Sequence, residues 1–179
     1  MHMKPSDPEG PDGARSSPEN DRESPVSVQF GSTESVSLPL RDLESLAERV
    51  LSAEGFAGHS ISVLIEGDEA IRELNRRYRG LDEPTDVLTF VSAESAGYPV
   101  TSSAEVGERR HAGDIIISLP AVRRNADTFS IEEEKELQRV LIHGVLHICG
   151  WQHRSNDADE PMLRRQEELL RSLVPGTAS

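Results

Sequence analysis

The chain has 179 residues, a length that fits one domain plus a tail. Its formal net charge is −13, which excludes a generally basic nucleic-acid surface, because phosphate is repelled by an acidic one. The single cysteine, Cys149, excludes an intramolecular disulfide and suits a reducing compartment, and no stretch approaches the roughly 18 apolar residues of a membrane span. The first residues contain no apolar run of the secretory kind, so the expectation is a cytoplasmic protein.

Residues 1–25 are Pro, Gly, Ser and charge with almost nothing to bury, and are expected to form a disordered tail carrying −3, leaving −10 on the body at 26–175. Val26 to Phe30 alternates as a strand does. Leu43, Leu46, Ala47, Val50 and Leu51 recur at helical spacing and predict a helix over about 40–54. Ser60 to Ile65 reads as a second strand. Asp68 is placed to cap a helix with Ile71, Leu74 and Tyr78 on one face, which makes Tyr78 a core candidate. A turn at Glu83-Pro84-Thr85 leads to a short strand, Val87 to Phe90. Residues 92–112 read as a long mobile loop, and Ile115 to Ile117 as a buried strand. Ser130-Ile131-Glu132-Glu133 matches a capping box opening a helix over about 131–149, with Gly150 at its C′ position. Asn156 or Asp157 is expected to start a last helix, with Met162, Leu169, Leu170 and Leu173 on its core side. The sum is a single α+β (α/β) domain: a mixed sheet of about four strands packed by about five helices, with a histidine motif at the end of a central helix.

That motif runs from His143 to His153. A helix advances about 100° per residue, so His143 and His147 lie about 40° apart and one turn apart in height, a two-point chelate. Leu137, Leu141, Val145 and Ile148 form a separate apolar stripe, while Glu136 and Arg139 share the histidine side. Gly150 permits a sharp turn that can return His153 to the other two. Three histidines with one open position suit a catalytic rather than a closed structural zinc, so His143, His147 and His153 are the expected ligands of one zinc-like ion. Cys149 falls about 200° round from His147 and is expected in the core, not on the metal.

The spacing coincides with the metzincin peptidase pattern H-E-x-x-H-x-x-G-x-x-H, except that Gly144 stands where the glutamate base belongs, and glycine moves no proton. The segment instead resembles the YbeY family signature H-G-x-L-H-x-x-G-Y/W-D-H at His143, Gly144, Leu146, His147, Gly150, Trp151 and His153. Leu74 to Phe90 is similar to that family's L-N-x-x-Y-R-x-x-D-x-P-T-D-V-L-S-F, and Gly113 to Ser118 to its G-D-I-x-I-S. The resemblance covers roughly residues 26–174. It departs at Gln152, which replaces an aspartate: it can hydrogen-bond but adds no charge.

The resemblance implies a single-strand-specific, zinc-dependent endoribonuclease. It would act in rRNA maturation (16S rRNA processing), late small-subunit assembly and ribosome quality control, among small-subunit proteins and assembly factors. It implies no membrane and no small-molecule cofactor. Arg79 and His143 are the expected catalytic residues, and phosphate chemistry supports Arg79 separately, since a guanidinium is a permanently charged fork for phosphate oxygens. Arg72, Arg76 and Arg77 fit a solvated helix face, and Arg109, Arg110 and His111, like Arg123 and Arg124, are further basic groups. Asp86 and Asp114 read as turn aspartates or as partners near the pocket, and Trp151 as a base-stacking ring or a wall of the site. A metallohydrolase of another substrate, such as a peptide, and a non-catalytic ribosome assembly factor with a structural metal remain as alternatives.

Overall fold

The computed structural model describes residues 24–31, 35–93 and 110–174. Four strands, β1 (Val26–Phe30), β2 (His59–Glu66), β3 (Val87–Val91) and β4 (Arg110–Ser118), form a mixed sheet in the order β1-β2-β4-β3. β1 and β4 run parallel to β2, and β3 is an antiparallel edge on β4, with Val87 opposite Ile117 and Thr89 opposite Ile115. The helices are α1 (Leu40–Ala53), α2 (Asp68–Arg79), α3 (Leu119–Phe129), α4 (Glu133–Ile148) and α5 (Pro161–Leu173). The expected α+β domain is what forms. No helix among the described residues is long and apolar enough to cross a membrane.

One face of the sheet carries the core. Val26, Val28, Ile61, Val63, Ile65, Ile115 and Ile117 meet Leu43, Leu46 and Val50 of α1 and Leu137, Leu141, Val145 and Ile148 of α4. α4 approaches the sheet closely because residue 144 has no side chain: a Cβ there would lie 2.8 Å from Ile115 Cγ2. α5 closes the outer side through Met162, Leu169 and Leu170, with Leu173 half-buried against the same core.

Several local expectations are corrected. Asp68 does not cap α2; Gly67 holds the cap position, and the Asp68 carboxylate is taken by Ser118 Oγ (2.5 Å) and Arg124 (2.6 Å) instead. The Arg124 guanidinium holds that carboxyl below its usual range, against the opposing cost of burial. Ser130 opens no capping box: at φ 53 it ends α3, and α4 begins at Glu133 after an uncapped Glu132. α3 itself was not located by periodicity. Its signals are Ser118, which accepts the Ala121 N–H (3.2 Å), and a proline in the first turn. α5 starts at Pro161 rather than at Asn156 or Asp157, because residues 153–160 are spent on local polar contacts. Tyr78 is 58% exposed, not core: α2 buries Ile71 and Asn75, and the Tyr78 ring lies at the surface, edge-on to Phe90 of β3 at 5.1 Å between centroids. β4 begins at Arg110, inside the stretch read as loop, and pairs its polar start with His59 and Ser60. Positions 94–109 and 1–23 lie outside the described residues.

Candidate metal centre

α4 ends in a Schellman motif. The Gly150 N–H donates to His147 O and the Trp151 N–H to Leu146 O, both at 3.0 Å, with Gly150 at φ 91. The chain reverses there and brings His153 back against the last turn. The ring centroids of His143 and His147 are 4.7 Å apart, those of His143 and His153 5.0 Å, and those of His147 and His153 5.4 Å. One nitrogen from each of the three lies within 4.8 Å of the others. The three expected ligands thus share one site, and this group can hold a metal ion.

The donor set fits such an ion. His147 Nδ1 contacts Trp151 O at 2.9 Å, His153 Nδ1 contacts Ser155 O at 2.9 Å, and His143 Nδ1 contacts Gln166 Oε1 at 2.8 Å. All three partners are acceptors, so each Nδ1 carries the proton and each Nε2 presents a lone pair. His143 Nε2 and His147 Nε2 are 3.1 Å apart. Two lone pairs at that distance repel unless a cation lies between them. A proton is a poor candidate near neutral pH. Burial, the neighbouring His143 and smaller like-charge effects push the His147 imidazole down to about 4, and burial lowers His143 too. Two imidazoles on a tetrahedral zinc stand about 3.3 Å apart, given Zn–N bonds of about 2.0–2.1 Å. Zinc-like coordination therefore suits the observed pair.

Cys149 is not in the group. Burial pushes its thiol up to about 12, so it stays a neutral, half-buried thiol. Trp151 does not face the site either. Its indole N–H donates to Glu54 Oε2 (2.8 Å), leaving only its backbone carbonyl to serve the metal group, through His147. The ring is thus neither the base-stacking platform nor the wall of the site expected from the sequence.

The histidines line a cleft of about 600 Å³ between α4, α5, α3, β3 and the end of α2. Arg79 forms part of its wall, as do Asp86, Thr89, Asn125 and Gln166. Two arginines reach this cleft, with different surroundings. Arg139 is held by Glu136 (2.8 Å) and Glu167 (2.8 Å). Arg79 forms no ion pair among the described residues, whereas Arg72, Arg76, Arg123 and Arg124 are paired with Asp82, Glu73, Glu133 and Asp68. Among the described arginines without an ion pair, Arg79 is the one that lines this cleft. Asp86 combines both readings offered for it: Oδ1 accepts from Val87 N (2.9 Å) as a turn aspartate does, and the residue faces the cleft. Asp114 lines a separate groove on the other face of the sheet, with Phe90 and Tyr78. Position 144 points at Ile115 and leaves no room for the glutamate of a peptidase.

The sequence reading missed Gln166, Asn125 and Thr89. Gln166 had a signal, being a polar residue in the apolar stripe of Met162, Leu169 and Leu170, where it is 6% exposed. Asn125 had none, since α3 was not located.

A family model for Endoribonuclease YbeY matches residues 29–174. The chain belongs to the YbeY family. A relative from Treponema denticola named Endoribonuclease YbeY is 37% identical over 146 residues, covering 81% of this chain and 90% of its own. One of the same name from Treponema pallidum is 43% identical over 122 residues, covering 68% and 72%. A solution structure of a Thermotoga maritima protein is similar with TM-score 0.53 at 29% identity, covering 82% of this chain and 87% of that one. Where the YbeY signature has aspartate, Gln152 is exposed, and none of the three Nδ1 atoms contacts it. Orientation of the ligands therefore needs no aspartate at 152 here.

Proposed function

We propose that this chain is a metal-dependent endoribonuclease cutting single-stranded RNA, with one zinc ion held by His143, His147 and His153. The observation that carries the reading is one ring nitrogen from each of the three histidines converging within 4.8 Å, in a cleft that Arg79 also lines. Membership of the Endoribonuclease YbeY family supports the substrate class. When bound, zinc supplies a Lewis acid for a phosphoryl oxygen and acidifies water.

The chain's own residues do the rest. His143, His147 and His153 leave one side of the group open to the cleft. Arg79 offers its fork to the non-bridging oxygens where charge builds during phosphodiester cleavage. Arg79 and His143 are the catalytic pair on this reading, with His143 acting as a ligand beside the reacting atoms. The body at 26–175 is the catalytic domain on this reading, and the net charge of −13 disfavours RNA contact away from the basic and metal-holding groups of the cleft. We place the activity in the cytoplasm, in rRNA maturation, late small-subunit assembly and ribosome quality control, among small-subunit proteins and assembly factors.

The test is cleavage of a single-stranded RNA by wild type, His147→Ala and Arg79→Ala, each with and without chelator. Both variants lose cleavage, Arg79→Ala by about 10²–10³-fold as expected for a charge-stabilising donor. Only His147→Ala loses bound metal by elemental analysis. Equal, chelator-resistant cutting by all three proteins ends the proposal.

A further inference from the structure

The three ligands are not oriented by the same kind of partner. His147 and His153 rest on backbone carbonyls of the turn that follows α4. His143 alone depends on a side chain, Gln166, brought from α5. Gln166 sits in the apolar stripe of α5, where an amide left unsatisfied costs about 1–3 kcal/mol. It is satisfied at both ends. Its Oε1 accepts from His143 Nδ1 (2.8 Å), and its Nε2 donates to Glu167 Oε1 (3.2 Å). The same Glu167 oxygen accepts from Arg139 Nε (2.8 Å), and Arg139 is tied back to buried Glu136 (2.8 Å).

Which end of the amide faces His143 decides the chemistry of that ring. With Oε1 toward it, Nδ1 is protonated and Nε2 is free for metal. With the amide reversed, its N–H₂ group would donate to Nδ1, the proton would move to Nε2, and the ligand atom would be blocked. Glu167 breaks this tie. A carboxylate only accepts, so it holds the N–H₂ end and turns the oxygen to His143. Arg139 fixes Glu167 in place from the helix that carries the ligand.

We propose that Gln166, aligned by Glu167 and Arg139, is a positioning residue that selects the metal-binding tautomer of His143. The inference builds on the reading of the three histidines as a metal site. It also makes α5 part of that site, with no ligand of its own.

The test uses the full chain, wild type beside Gln166→Met and Glu167→Met. The first keeps the volume and removes the acceptor for His143, whereas the second keeps Gln166 and removes the carboxylate that holds its N–H₂ end. Long-range ¹H–¹⁵N spectra of the metal-free proteins near neutral pH read each histidine's tautomer. Competition with a chromogenic chelator reads zinc affinity. In wild type, His143 carries its proton on Nδ1. In both variants it becomes a mixture, while His147 and His153 do not change. Zinc affinity falls about 10–100-fold in Gln166→Met, the usual effect of losing a ligand's outer partner, and by less in Glu167→Met, where the acceptor remains but is no longer aligned.

A Gln166→Met protein with the wild-type tautomer and affinity overturns the proposal. So does a Glu167→Met protein with the wild-type tautomer, a measurement that still decides if Gln166→Met does not fold, because the Glu167 side chain is 41% exposed. Wild type that binds no zinc sinks the metal reading instead, and the tautomer spectra, which need no metal, still judge the role of Gln166.

Discussion

An alanine at position 144 would put a methyl carbon 2.8 Å from Ile115 Cγ2, a fully buried, β-branched side chain in the central part of the sheet. Ile115 has no room to withdraw, so α4 must lift from the sheet. Overpacking of this kind costs about 1–3 kcal/mol, more than the roughly 1 kcal/mol that alanine gains over glycine in a helix. Gly144→Ala is therefore expected to be less stable than wild type by about 1 kcal/mol in urea titration, where wild-type or higher stability would refute the close-packing argument. The same residue explains why the peptidase pattern fails here. The position is glycine in the sequence, but only the packing on Ile115 shows that nothing larger fits. Arg79 makes the complementary point. In the sequence it is one of four arginines between positions 72 and 79. Arg72 and Arg76 are engaged by carboxylates and Arg77 lies over the Tyr78 ring, whereas Arg79 lines the cleft of the histidines.

At the scale of elements, the end of α4 does the positioning. Its two Schellman hydrogen bonds require residue 150 in the left-handed region, at φ 91, where a side chain is strained. Gly150→Ala should cost about 1–2 kcal/mol of stability, and it should also weaken zinc binding because His153 reaches the site only through that turn. Calorimetry with and without zinc checks both effects, and an alanine variant with unchanged zinc affinity would remove the turn from the account. Gly150→Asn should retain more, since asparagine tolerates this conformation better. The long, strongly patterned elements α1, α4 and β2 were legible because their apolar spacing coincides with what they bury. α3 and the start of β4 were not. α3 is short and buries Leu119, Ala121, Val122 and Ala126 among charged neighbours, and β4 opens with Arg110 and His111, which carry no alternation. The apparent capping box at Ser130 misled for a related reason: with α3 ending there, the serine was already committed to the preceding helix.

For the whole molecule, the three-histidine group couples folding to pH. In the metal-free protein the folded-state values of His143 and His147 are depressed, His147 to about 4, while an unfolded histidine titrates near 6.5. Between these values the unfolded chain binds more protons. Stability is then full above pH 6.5 and is lost progressively as pH falls toward about 4. Thermal melts of metal-free protein across this range should show Tm falling with pH, and a flat profile would contradict the buried, neutral state of these rings. Zinc should offset the loss at the upper end, since at 100 times its Kd a ligand specific to the folded state adds about 2.7 kcal/mol.

The sequence by itself determined the α+β class, the core stripe of the central helix and the identity of the three histidines, because helical periodicity and a glycine at a helix end are local properties of a chain. Tertiary structure alone decided which nitrogen each histidine offers, since that depends on acceptors supplied by Trp151, Ser155 and Gln166. It also decided which arginine lines the cleft and which group the Trp151 indole meets. These outcomes depend on groups far apart in sequence meeting at distances of about 3 Å, the reach of a hydrogen bond, and no spacing along one helix encodes them.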